Sequence, residues 1–122
     1  MAEYRLGEVE MKFASLVWDN EPIKSGELAK LCDKELGWKK STTYTVLKRL
    51  CGKGIFENDK GTVISRVSYD KFRAVQSEQF VDEAFEGSLP GFVAAFCSRK
   101  KLSKEEVNEL KRIIGDGIND AG

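Results

Sequence analysis

Between Leu6 and Tyr69 the chain sets three short amphipathic helical patterns ahead of two β-prone runs, and few folds accept that order. Leu6, Val9, Phe13, Leu16 and Val17 recur at steps of three and four, which predicts a helix over residues 6–18 that stops near Asn20 and Pro22. Ser25 is placed to cap a second helix, 26–36, with Leu28, Leu31 and Cys32 as its apolar stripe and Gly37 as its stop. About five residues later, Ser41 or Thr42 is placed to cap a third helix that runs to about Lys53 and is closed by Gly54. The stretch IFENDKGTVISRVSY then reads as a β-hairpin whose Gly61 supplies a positive φ angle. Three helices followed by a hairpin is the order of a winged helix-turn-helix domain, so the expected class is mainly α with a small β-hairpin.

After Tyr69 the pattern becomes purely helical. Asp70 is placed to cap a long helix to about Glu86, a break at 87–91 precedes the apolar segment 92–97, and Ser103 and Glu106 form a capping box. That box opens a helix with Val107, Leu110, Ile113 and Ile114 on one face, followed by GDGINDAG as a frayed, disordered tail. The expected division is a winged-helix domain over 1–69 and a helical dimerisation domain over 70–122. The 70–116 segment is below the size at which three helices bury their apolar faces against one another alone, roughly 50 residues. A second copy of the chain is the expected cover, with Phe72, Val75, Phe80, Phe92, Phe96, Val107, Leu110, Ile113 and Ile114 in the interface.

Composition removes most chemistry. The chain has no histidine, which takes away the commonest general base near neutral pH and the commonest transition-metal ligand. Its three cysteines, Cys32, Cys51 and Cys97, are widely spaced and read as small buried hydrophobes, so neither a disulfide framework nor a metal site is expected. Gly52 and Gly54 end a helical pattern, whereas a phosphate cradle would open one. No cofactor and no enzymatic activity are expected. Without a membrane-length apolar run or a signal segment, the expectation is a cytoplasmic protein with no direct membrane binding.

Lys+Arg and Asp+Glu both number 20, yet LGWKKSTTYTVLKRLCGKGI, residues 36–55, holds five cations and no acidic residue. At 100° per residue, Thr43, Val46, Leu47 and Leu50 share one face of the third helix, which must be the core side. The opposite face carries Ser41, Thr45 and Lys48, flanked by Thr42, Tyr44 and Arg49. Hydroxyls there suit base edges and cations suit phosphate. The sequence therefore points to double-stranded DNA, contacted by Lys39, Lys40, Ser41, Thr42, Tyr44, Thr45, Lys48, Arg49 and Lys53, with Lys60 at the hairpin tip and Arg66 in its second strand. A charged helix face is often only a solvated one, but its place in a helix-turn-helix order tips the balance. Trp18 and Trp38 adjoin helix ends and read as packing residues, with Trp38 also placed for a backbone contact. Two-fold symmetry would set two such helices about 34 Å apart, matching a palindromic operator. Two other readings stay open, a winged-helix regulator holding a small molecule and a winged-helix protein-interaction module that does not bind DNA.

The segments LGEVEMKFASLVWDNEPIKSGELA, GWKKSTTYTVLKRLCGKGIF, GTVISRVSYD and LSKEEVNELKRII together resemble the penicillinase-repressor family, which includes β-lactamase, methicillin-resistance and copper-responsive repressors. The resemblance runs from about Leu6 to Ile114 and centres on Trp38 followed by T-x-x-T and L-x-R-L-x-x-K-G. It implies a homodimeric transcriptional repressor with an N-terminal winged helix and a C-terminal dimerisation domain. Thr42 and Thr45 match the family's recognition-helix threonines, and Tyr44 stands where relatives vary. In antibiotic-responsive members a membrane sensor protease system leads to scission at an Asn-Phe bond. The matching pair here is Ala95-Phe96, with alanine in place of asparagine, and packing of Phe92 and Phe96 in the interface is the alternative role. The cysteine-rich C-terminal motif of the copper-responsive branch is absent.

Overall fold

The computed structural model describes the backbone of residues 4–121 and the side chains of residues 4–116. Among these residues the elements are α1 (Glu8–Asn20), β1 (Ile23–Lys24), α2 (Ser25–Leu36), α3 (Lys40–Gly52), β2 (Phe56–Asp59), β3 (Thr62–Ser65), α4 (Tyr69–Ala84), α5 (Leu89–Arg99) and α6 (Lys104–Ala121). Six helices and a small antiparallel sheet give the mainly helical winged-helix arrangement that the sequence predicts.

The core of the first unit forms where the helical stripes meet the sheet. Phe13 and Val17 of α1, Leu28 and Cys32 of α2, and Leu50 of α3 are completely buried. Val63 from β3 joins them, again with no exposed surface, while Phe56 from β2 retains almost none. Trp18 is fixed by a hydrogen bond from its Nε1–H to the Val67 carbonyl at 3.0 Å, and Trp38 stacks on Phe13 with centroids 5.7 Å apart. Both tryptophans are packing residues.

The hairpin turn follows from two positive φ angles. Lys60 at 52° and Gly61 at 92° form a two-residue loop that matches the right-handed twist of its strands, and Asn58 Oδ1 accepts the Gly61 N–H at 2.9 Å. The sheet has a third strand that the sequence does not announce, in the order β1-β3-β2, with Ile23 opposite Val63 and Lys24 opposite Thr62. Two residues are too few for an alternating pattern to register. Arg66 lies one residue beyond β3, not within the second hairpin strand.

Helix caps also lie earlier than expected, by one position at α2 and by two or three at α3. Ser25 is the first residue of α2 after an extended Lys24, and Ser41 and Thr42 lie inside the first turn of α3 after an extended Lys39, so none of the three is the cap. At α4 the cap is Ser68, whose Oγ accepts the Lys71 N–H at 3.1 Å, leaving Asp70 in the first turn. Gly37 does close α2 in the left-handed region, at φ 69°.

The chain divides into two compact units, Met1–Gln79 and Phe80–Gly122, ten residues later than the expected 69/70 boundary. Phe72 explains the shift: it is completely buried in the first core, 5.1 Å from the Trp18 ring, and Val75 packs there too. In the second unit Phe80, Phe85 and Phe92 meet edge-to-face or tilted, with centroids 5.4–6.1 Å apart. Ser88 caps α5 through the Gly91 N–H at 2.9 Å. The Ser103–Glu106 box is formed reciprocally, both hydrogen bonds at 3.1 Å. Where the sequence suggests a frayed tail, α6 continues to Ala121; Gly122 and the side chains after Asp116 lie outside the described residues. No helix among the described residues is long and apolar enough to cross a membrane.

Candidate nucleic-acid interface

The face of α3 that cannot enter the core is set by the four residues that do. Thr43, Val46, Leu47 and Leu50 are buried, which turns Ser41, Thr42, Thr45 and Lys48 outward, all exposed. The Thr43 hydroxyl faces the Cys32 thiol across the α2–α3 contact; burial pushes that thiol's pKa up, and the hydroxyl only partly offsets it. No acidic residue lies in the first turn of α3, so its positive dipole end and the cations beside it act in the same sense.

Because Lys39 holds the cap position without a side-chain bond, the Ser41 and Thr42 hydroxyls are not consumed by capping. Thr45 differs: its Oγ1 donates to the Ser41 carbonyl at 2.9 Å, so outward it offers acceptor lone pairs and a methyl group. Tyr44 is half-buried, with the Lys40 Nζ 5.8 Å from its ring centre. Lys48 has no carboxylate partner among the described residues.

Two of the expected cations are engaged elsewhere. Glu10 on α1 takes Arg49 Nη1 at 3.3 Å and Lys53 Nζ at 3.7 Å, and Lys53 also donates to the Arg5 carbonyl at 3.0 Å. Burial raises the Glu10 pKa, but the Gly7 N–H and the two cations outweigh it and hold the carboxyl below its ordinary range. Lys60 is exposed at the hairpin turn, and Arg66 pairs with Glu57 at 3.5 Å while remaining largely exposed. Lys24 and Lys30, which the sequence reading passed over, line an open concavity beside α2 together with Lys60, and Lys30 also lines a second one with Lys39 and Lys40. Their signal was weak because each is an isolated lysine near the short second helix.

The residues expected to pair two copies fall into two groups. Phe72 and Val75 belong to the first core, whereas Phe80, Phe96, Leu110, Ile113 and Ile114 are exposed in the second unit. Phe92 and Val107 are half-buried. Between α5 and α6 runs a groove of about 570 Å³ whose apolar walls include Phe92, Val93, Phe96, Leu102 and Leu110. Ala95 is exposed, in the middle of α5.

The profile of the penicillinase repressors matches residues 6–116, nearly the whole chain. The chain belongs to the penicillinase repressor family. Members are transcriptional repressors and not enzymes, so this penicillinase-family repressor acts in the control of transcription. It is 28% identical over 119 residues to the penicillinase repressor of Bacillus licheniformis, covering 94% of this chain and 93% of that protein. The methicillin resistance regulatory protein MecI of Staphylococcus aureus is 23% identical over 115 residues, covering 91% and 94%. MecI of Mammaliicoccus sciuri is 22% identical over the same length.

Proposed function

We propose that this repressor is a homodimer of the β-lactamase and methicillin-resistance type, cytoplasmic, that occupies a palindromic operator by inserting α3 of each copy into successive major grooves. The observation that carries this reading is the outward face of α3, where Ser41, Thr42, Thr45 and Lys48 stand exposed opposite the buried side of Thr43, Val46, Leu47 and Leu50. Short hydroxyl side chains over the first turns read base edges, and Lys48 neutralises phosphate. The second unit supplies the pairing surface. Phe80, Phe96, Leu110, Ile113 and Ile114 all remain exposed in the isolated chain, which favours their burial against a second copy. The names of the relatives, a penicillinase repressor and a methicillin resistance regulator, favour control of resistance genes as the setting. A sensor protease acting on Ala95-Phe96 would have to unwind the middle of α5 first, because both residues lie within that helix.

The test compares two variants on an operator duplex and on mixed-sequence duplexes. Lys48→Ala lowers affinity for all sequences and flattens the dependence on salt by about one unit of slope. Thr45→Ala leaves the slope unchanged and relaxes preference for the operator. Identical salt and sequence profiles for the two variants would overturn the assignment of α3.

A further inference from the structure

The cations of the first unit are distributed asymmetrically about α3. On the side of α1, Arg49 and Lys53 both close on the single carboxylate of Glu10. On the side of α2, Lys24, Lys30, Lys39, Lys40 and Lys60 are all exposed and have no carboxylate partner among the described residues.

These five lysines share one surface. Lys24, Lys30 and Lys60 line an open concavity between the start of α2 and the hairpin turn. Lys30, Lys39 and Lys40 line a second one, between α2 and the start of α3. Gly26 and Lys30 border both, so the two concavities lie side by side and form one shallow channel only if the strip at Gly26 and Lys30 is crossed along the surface. Among the described residues two carboxylates, Glu27 and Asp33, line the same channel, and neither is paired with one of its lysines. Five ammonium groups against two carboxylates repel one another along the channel, and that repulsion is relieved by an anion that is itself extended. A single phosphate would need one seat. A nucleic-acid strand carries closely spaced charge along its whole length and fits a channel with lysines at both ends.

We propose that the sugar-phosphate backbone flanking the groove read by α3 runs along this channel, with Lys24 and Lys30 as phosphate contacts, and that Glu10 withdraws Arg49 and Lys53 from the phosphate-contacting set. The inference rests on the reading of α3 as the DNA-contacting helix. It deepens that reading by fixing which side of α3 the strand follows.

The experiment measures the full-length protein on a mixed-sequence duplex of about 30 base pairs, following log K against log salt, whose slope is near −0.9 per neutralised phosphate. Wild type, Lys48→Ala, the Lys24→Ala/Lys30→Ala double variant and Arg49→Ala are compared, with circular dichroism and thermal melting to verify that each is folded. The expected result is a slope flattened by about 1.8 units in the double variant and unchanged in Arg49→Ala. If the double variant keeps the wild-type slope while Lys48→Ala flattens it, the channel assignment is overturned and the reading of α3 stands. Should Arg49→Ala flatten the slope by about 0.9, Glu10 does not withdraw that cation and the second half of the proposal fails. A wild-type protein without salt-dependent binding would overturn the reading of α3, and this proposal with it.

Discussion

Ile114→Asp places a carboxylate where the proposed dimer needs an apolar contact, and its consequence is calculable from exposure. Ile114 keeps 56% of its surface open in the isolated chain, and Ile113 and Leu110 keep 55% and 39%. Burying a whole isoleucine side chain is worth about 1.5–3 kcal/mol, so covering the open part of Ile114 contributes about 0.8–1.7 kcal/mol per copy. Two-fold symmetry counts it twice, and loss of roughly 1.7–3.4 kcal/mol weakens dimerisation about 20- to 300-fold. Desolvation of the new carboxylate adds to this unless it reaches water. Adding Leu110→Asp on the same helix face deepens the loss. Sedimentation velocity over a concentration series should show monomer where the wild type is dimeric, and gel shifts on the operator should fail at matched concentration. Trp18 and Trp38 both lie in the first unit, so unchanged tryptophan fluorescence shows that the winged helix is still folded. A variant that stays dimeric, or one that is monomeric yet shifts the operator with wild-type affinity, would refute the link between pairing and DNA occupancy.

Three further expectations follow from the first unit. Glu10 has a folded pKa below its unfolded one, so its contribution is complete above the ordinary carboxylate range and is lost as pH falls through the folded value. The stability difference between wild type and Glu10→Gln in urea should accordingly be about 0.5–1 kcal/mol at neutral pH and shrink once the pH falls below the ordinary carboxylate range; a difference that does not change with pH contradicts the ion-pair assignment. Trp18→Phe removes the donor to the Val67 carbonyl and should cost about 1–2 kcal/mol in urea unfolding, and a change under about 0.3 would mean that water replaces the bond without loss. Cys32 is completely buried with its thiol pKa raised by that burial, so it should react with an alkylating reagent only when the protein unfolds; labelling at the rate of a free thiol would show that the α2–α3 contact opens readily.

What the sequence discloses about this fold depends on the range of each interaction. The helices are legible because three- and four-residue spacing is a property of consecutive positions, and the hairpin turn because Gly61 supplies a positive φ; the positive φ of Lys60 beside it is not announced. Cap positions are misjudged by one residue at Ser25 and by two or three at Ser41 and Thr42. There the extended residue is a lysine, with ψ of 141° at Lys24 and 153° at Lys39, and the approach of α2 and α3 to the sheet and to α1 outweighs local cap preference. The compact units divide at 79/80 and not at 69/70 because Tyr69 ends the hairpin pattern in sequence, whereas Phe72 and Val75 still pack on the first core. For the site, the outward face of α3 follows from rotation alone. The grip of Glu10 on Arg49 spans 39 residues and leaves no local pattern.

That long-range pair also explains how a chain of zero net charge can present a surface for a polyanion. What a phosphate strand experiences is the potential within a Debye length, about 8–10 Å at ordinary salt, and not the total. Glu57, Glu10 and Glu109 are each engaged with a nearby arginine. The lysines beside α2 and Lys48 have no such neutralising partner among the described residues. Local excess of this kind is screened as salt rises, whereas the apolar contacts proposed for the second unit are not. Raising salt should therefore release the operator well before it separates the two copies, and a dimer that dissociates in the same salt range as the DNA complex would show that charge, not apolar burial, holds the pair together.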